Sequence, residues 1–142
     1  MKSKVILHVY DLNPQYNSLS GAFGLGTYHT GVEVFGAEYT FGEGGITNHG
    51  PKQADNGDTC IYNQSIELGE TDLMRSDMSG KVTAKLKKDG FLGRNYDPLA
   101  KNCNHFSDAL AKILLETDKG VIPNWINRSS TVGNWFKTKF QK

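Results

Sequence analysis

Asn102-Cys103-Asn104-His105-Phe106-Ser107 opens a stretch in which Phe106, Leu110, Ile113 and Leu114 recur on one helical stripe, while Asp108, Lys112 and Glu116 fall elsewhere. Asparagine is a residue that caps helices, so the hexapeptide predicts a helix start with Cys103 in its first turn. Far upstream, Tyr28-His29-Thr30-Gly31-Val32-Glu33-Val34 reads as a histidine entering an alternating strand. A thiol at a helix start and an imidazole at a strand start form two halves of a nucleophile site if helix and sheet pack together. These two stretches decide the expected architecture, in which a sheet formed early in the chain is covered by helices formed late.

Working outward, Lys4 to Tyr10 alternates Val5, Leu7 and Val9 with Ile6, His8 and Tyr10, the pattern of a central strand apolar on both faces. Turn formers between Asp11 and Gly26 make a loop that delivers the chain to His29. The strand from Thr30 to Val34 is expected to return as Glu38 to Gly42 through a two-residue type II′ turn at Gly36-Ala37. That register would set Gly42 to Gly44 across from His29. Gly42 to Gly45 and Asn48 to Asp58 read as polar loop, and Cys60 to Leu68 as a further strand. In the second half, Ser79 or Gly80 precedes a short helix carrying Val82 and Leu86, with Lys85, Lys87 and Lys88 in its last turn and Gly90 beyond. The Cys103 helix is expected to close near Asp118-Lys119-Gly120. Strands first and helices afterwards predict an α+β domain, an antiparallel sheet packed on helices.

At 142 residues, one compact domain is expected. Sixteen basic and fifteen acidic residues leave a net charge of +1, so no global field recommends a nucleic-acid or anionic-membrane partner. The opening Met1-Lys2-Ser3-Lys4-Val5-Ile6-Leu7-His8 lacks the apolar run of a signal peptide, and no segment approaches the roughly 20 apolar residues of a membrane span. An intracellular chain with Cys60 and Cys103 as free thiols is therefore expected. Two cysteines and scattered histidines lack the paired ligand spacing of a metal site, so no metal and no cofactor are expected.

A cysteine becomes an effective nucleophile where a helix N-terminus or a neighbouring imidazolium stabilises its thiolate. Cys103 has the first by position; local pattern alone leaves it open between nucleophile and buried helix-start residue. Cys60 opens a strand without basic or helical neighbours and reads as a small buried hydrophobe. Among the histidines, His8 reads as a packed strand residue and His49 as an inert residue in an exposed loop. His105 lies about 200° round a helix from Cys103 and supports the loop or packs. His29 remains the best base, with Gly31 beside it leaving room for another backbone or a substrate. Glu33 lies about 13 Å along the strand from His29, too far to orient it directly, and Glu43 would reach only by swinging inward, so a Cys-His dyad is the reading. The Cys103 amide is a natural donor to an oxyanion.

Taken together, the motifs resemble the PPPDE family, whose DeSI-type members are isopeptidases acting on ubiquitin-like modifiers. The resemblance rests on Val9-Tyr10-Asp11-Leu12, on Gly24-Leu25-Gly26-Thr27-Tyr28-His29-Thr30-Gly31-Val32-Glu33-Val34-Phe35-Gly36, on the Cys103 hexapeptide and on Ile122-Pro123-Asn124-Trp125-Ile126-Asn127-Arg128. It implies a circularly permuted papain-like cysteine peptidase fold over residues 1–128, followed by a basic C-terminal tail at 129–142. It implies His29 and Cys103 as the catalytic pair. The implied activity is hydrolysis of the isopeptide bond between the C-terminal glycine of ubiquitin or a ubiquitin-like protein such as SUMO and a substrate lysine. Glycines near His29 suit a narrow channel for a diglycine tail. Conjugates of ubiquitin or ubiquitin-like proteins are the implied partners, with homodimers and a cytoplasmic or nuclear setting. Two alternatives stand beside this: a thioesterase or acyltransferase acting on acyl-thioesters or lipids, and a non-catalytic module binding ubiquitin-like tails.

Overall fold

In a computed structural model, residues 2–12 and 28–126 of the chain are described. Five strands, β1 (Ser3–Leu12), β2 (Tyr28–Val34), β3 (Ala37–Gly42), β4 (Gly45–His49) and β5 (Cys60–Thr71), form one antiparallel sheet in the order β4-β3-β2-β1-β5. Helix α1 is assembled from Arg75–Asp77, a wide π turn at Met78–Val82, and Thr83–Lys88; after a 3₁₀ turn at Gly93–Asn95 comes α2, Cys103–Leu115. The α+β expectation holds. Strand β1 lies between two partners, and its residues Leu7 to Tyr10 are buried on both faces, as the double alternation requires.

The core fills the space between the sheet and α2. Val5, Leu7 and Val9 of β1 and Val32 and Val34 of β2 meet Phe106, Leu110 and Leu114 of α2 in one cluster. Phe41, Phe91 and Phe106 pack with ring centroids 5.3 to 5.8 Å apart. Each such side chain contributes about 1.5–3 kcal/mol by leaving water, which is what clamps α2 to the sheet. At the far end of α2, Gly69 of β5 has φ +149°, and a Cβ there would lie 2.9 Å from Leu115 Cδ2. Only glycine combines that backbone with that approach.

Four details differ from the expectations. The hairpin between β2 and β3 turns on Phe35-Gly36, at φ +55° and +79°, with Val34 paired to Ala37. This is the type I′ pattern, one residue earlier than Gly36-Ala37; Phe35 accepts the left-handed backbone because its ring packs on the core. The stretch read as loop after Gly42 contains β4, which pairs residue by residue with β3 from Gly42↔Gly45 to Glu38↔His49. An edge strand of polar residues carries little hydrophobic alternation, which hides it in the sequence. Helix α1 begins at Arg75, not near Ser79 or Gly80, because Met78 extends the Val82 and Leu86 stripe by one more four-residue step. Helix α2 ends at Leu115, where Glu116 turns left-handed at φ +54° and the amides of Glu116 and Thr117 close onto Ile113 and Lys112.

Candidate active site

The N-terminus of α2 is organised by Asn102. Its side-chain oxygen accepts the amides of Asn104 (2.9 Å) and His105 (3.1 Å), and His105 Nδ1 accepts the Asn102 amide in return (3.0 Å). This reciprocal box gives His105 the loop-supporting role expected of it. Burial, and secondly the Lys101 charge, hold the His105 imidazole below its ordinary range, in keeping with a neutral ring that accepts a hydrogen bond from a backbone amide.

Asn104 ties three segments together beside the thiol. Its amide donates to the carbonyl of Tyr28 (3.0 Å) and to that of Ile126 (3.5 Å), and its oxygen accepts the Thr30 hydroxyl (2.7 Å). Thr30 Oγ1 also bonds Ser107 Oγ at 2.8 Å. The residues on either side of His29 are thus bound directly to the first turn of α2, and the Cys103 thiol lies 3.7 Å from Asn104 Oδ1.

Strand alternation turns Thr30 toward α2 and His29 toward the opposite face, where His29 is paired with Tyr10. A thiol on the α2 face would be cut off from the imidazole, but the ladder between β2 and β3 ends at Val32↔Tyr39. Beyond that pair, the Thr30 carbonyl accepts the Thr40 hydroxyl (3.1 Å), and the Thr30 backbone amide favours the thiolate form of Cys103. The sulfur therefore sits beside the first turn of α2, where Asn104 and Ser107 bind Thr30, the residue next to His29. Cys103 and His29 are thus linked through Asn104 and Thr30, with the His29 side chain on the sheet face opposite α2.

Burial pushes the Cys103 thiol up to about 11, against backbone amides of Thr30, Cys103 and Asn104 that favour the thiolate. Burial also lowers the His29 imidazole to about 4, with the nearby His49 charge adding to the effect. Near neutral pH both groups are uncharged, so the helix start alone does not generate a resting thiolate. Cys60, half-buried at the start of β5, is a free thiol raised to about 11 by burial and by Asp55.

The remaining histidines divide differently. His8 is packed inside the sheet, 2% exposed, with Nε2 on Glu33 and Nδ1 on Ser65, both at 2.7 Å. His49 does not lie in an exposed loop; it stands in β4 across from Glu38, with its Nε2 buried 3.7 Å from the Glu38 carboxylate. Nor does Gly31 leave open space. A Cβ there would fall 2.3 Å from Glu38 Oε2, so the buried Glu38 carboxylate occupies the notch that sequence reading assigned to a substrate or a second backbone. Sequence reasoning missed Glu38, whose signal was available in the period of β3 once the hairpin register is set one residue earlier. Glu33 is engaged by His8, and no group of three His, Cys, Asp or Glu side chains suited to a metal occurs among the described residues. No helix among them is long and apolar enough to cross a membrane.

Comparison with known proteins meets this geometry from another side. A family model described as "PPPDE putative peptidase domain" matches residues 3–140, running past Arg128. The chain is 39% identical over 133 residues to a desumoylating isopeptidase 1 homolog of Caenorhabditis elegans, covering 89% of this chain and 38% of that protein. It is 35% identical to a DeSI-like protein of Arabidopsis thaliana over 92% of this chain and 57% of that one, and 36% identical to the DeSI-like protein sdu1 of Schizosaccharomyces pombe over 95% and 68%. The chain thus spans well under two thirds of the length of the first two relatives. With an Asn102-capped helix that begins at Cys103 docked on a histidine-bearing strand and a family match over nearly its whole length, the chain belongs to the PPPDE peptidase family.

Proposed function

We propose that the chain is a cysteine isopeptidase that hydrolyses the bond between the C-terminal glycine of ubiquitin or a ubiquitin-like modifier such as SUMO and a substrate lysine. The observation that carries this is the docking of the Cys103 turn of α2 on the two residues that flank His29, through Asn104 to the Tyr28 carbonyl and the Thr30 hydroxyl. The names of the relatives support the substrate class. The order of histidine strand before cysteine helix accords with a circularly permuted papain-like arrangement.

In this reading His29 is the general base and Cys103 the nucleophile. As the sulfur attacks the carbonyl carbon, the thiol proton passes to His29, and the Cys103 amide donates to the developing oxyanion. The tetrahedral intermediate then collapses: the C–N bond breaks and the His29 imidazolium gives its proton to the departing lysine amine. A water, deprotonated by His29, attacks the thioester and releases the modifier carboxylate, returning the proton to the thiolate. Because both groups rest uncharged, proton transfer accompanies attack instead of preceding it. Tyr28 and Trp125, stacked edge to face at 5.1 Å with Trp125 38% exposed, stand beside the pair as a wall for the incoming tail. Residues 1–128 form the peptidase unit, 129–142 a basic tail, and the setting is cytoplasmic or nuclear.

The test is parallel turnover of isopeptide-linked SUMO, isopeptide-linked ubiquitin and an acyl-thioester of a small thiol. Cleavage of a modifier conjugate, lost in Cys103→Ala, supports the isopeptidase. Turnover of the thioester alone replaces it with an acyl hydrolase, and binding without turnover of any substrate replaces it with a non-catalytic module.

A further inference from the structure

We infer that Tyr10 and Glu38 are positioning residues for His29: a buried carboxylate anchors the tyrosine ring that holds the imidazole in place. The inference rests on the reading of His29 as the base. Tyr10 is wholly buried, paired with His29 across β1 and β2, and the two rings lie with centroids 5.4 Å apart at 45°. The far end of the tyrosine is fixed, because its hydroxyl donates to both oxygens of Glu38, at 2.9 and 2.8 Å. Glu38 is itself wholly buried and accepts the Lys52 amide at 2.9 Å, with His49 and His8 nitrogens 3.7 and 4.0 Å away.

The placement depends on Gly31, two residues from His29 on the same face, whose missing side chain is the space the carboxylate occupies. Burying a carboxylate is costly, and an apolar pair at positions 10 and 38 would close the same gap at lower cost. What the hydrogen-bonded pair adds is orientation: two hydrogen bonds leave the phenol one ring position, and that ring limits the imidazole. A base that takes a proton from sulfur and hands it to an amine needs such a fixed ring. Partial burial at this position accompanies the lowered basicity of the imidazole. Tyr62 packs on the other side of Tyr10, at 6.1 Å, so the tyrosine is bracketed within the sheet face.

The experiment compares the full-length wild type, Tyr10→Phe, Glu38→Gln, Glu38→Ala and Cys103→Ala by steady-state turnover of ubiquitin and SUMO C-terminal coumarin amides. The His29 imidazole is titrated by NMR in each folded variant. Tyr10→Phe keeps the ring and loses the anchor; we expect kcat to fall about tenfold with KM within about twofold, and the His29 titration to move upward from about 4. Glu38→Gln still accepts the hydroxyl and the Lys52 amide and is expected within about threefold of wild type, whereas Glu38→Ala resembles Tyr10→Phe or fails to fold. A folded Tyr10→Phe with wild-type kcat, or with an unmoved His29 titration, overturns the inference. Turnover by Cys103→Ala would instead overturn the dyad, leaving the titration to decide the role of Tyr10.

Discussion

The two faces of the sheet follow opposite rules. Toward α2, β1 and β2 present Val5, Leu7, Val9, Val32 and Val34, a dry surface held by dispersion and hydrophobic burial. On the other face the same strands present His8, Tyr10, His29 and Glu33, joined by Glu38 and His49 from β3 and β4. The first face fixes where the helix lies and is tolerant of chemistry; the second is specified by hydrogen bonds that each need a particular partner. The proposed nucleophile, Cys103, starts α2 on the dry side, where Asn104 and Ser107 bind Thr30 of β2. In the proposed mechanism the site takes its rigidity from the dry face and its proton chemistry from His29 on the other.

The largest expected effect of breaking the comparison is at the proposed catalytic pair. Cys103→Ala and His29→Ala should each reduce isopeptidase turnover by about a thousandfold or more, with unchanged circular dichroism spectra. On the dry face, Leu110→Ala should cost about 3 kcal/mol in urea unfolding, because a wholly buried side chain leaves a cavity against β1. On the polar face, Gly31→Ala should cost about 2 kcal/mol in the same assay, since a methyl must displace the Glu38 carboxylate. Asn102→Ala, which removes the acceptor of two helix amides, should cost about 1 kcal/mol and slow turnover by displacing Cys103. Cys60→Ser is expected to leave turnover near wild type.

Stability should also depend on pH through this region. His29 and His105 both titrate below the ordinary histidine value of 6.5 when folded, so as pH falls the unfolded chain takes up their protons first. Their contribution is complete above pH 6.5 and is lost as pH drops toward about 4, where His29 protonates in the folded state. Urea midpoints measured across that interval should decline with acid, and less so in a His105→Gln variant.

The dry face was legible in the sequence and the polar face was not. Alternation in β1 and β2 and the 3.6-residue period of Phe106, Leu110 and Leu114 report burial directly, so α2, its Asn102 cap and the α+β class could be read off. Hydrogen-bond partners across a sheet depend on register, and register depended on a turn that Phe35-Gly36 makes one residue earlier than glycine preference suggested. With that shift unseen, Glu38 lacked its relation to Gly31, and β4 passed for loop because Thr47, Asn48 and His49 offer no apolar period. Residue type and position brought out His29, while the assignment of Cys103 rested on the family resemblance; what no pattern could supply was the bonding of Asn104 to Tyr28 and Thr30 on either side of His29.

The most direct test of the account is covalent: ubiquitin and SUMO bearing a C-terminal vinyl sulfone are incubated with the chain, and the adduct is mapped by peptide mass spectrometry. The account predicts a single adduct on Cys103 with at least one modifier, strongly slowed in His29→Ala and unaffected in Cys60→Ser. An adduct on Cys60, or labelling of Cys103 at the same rate without His29, would contradict it.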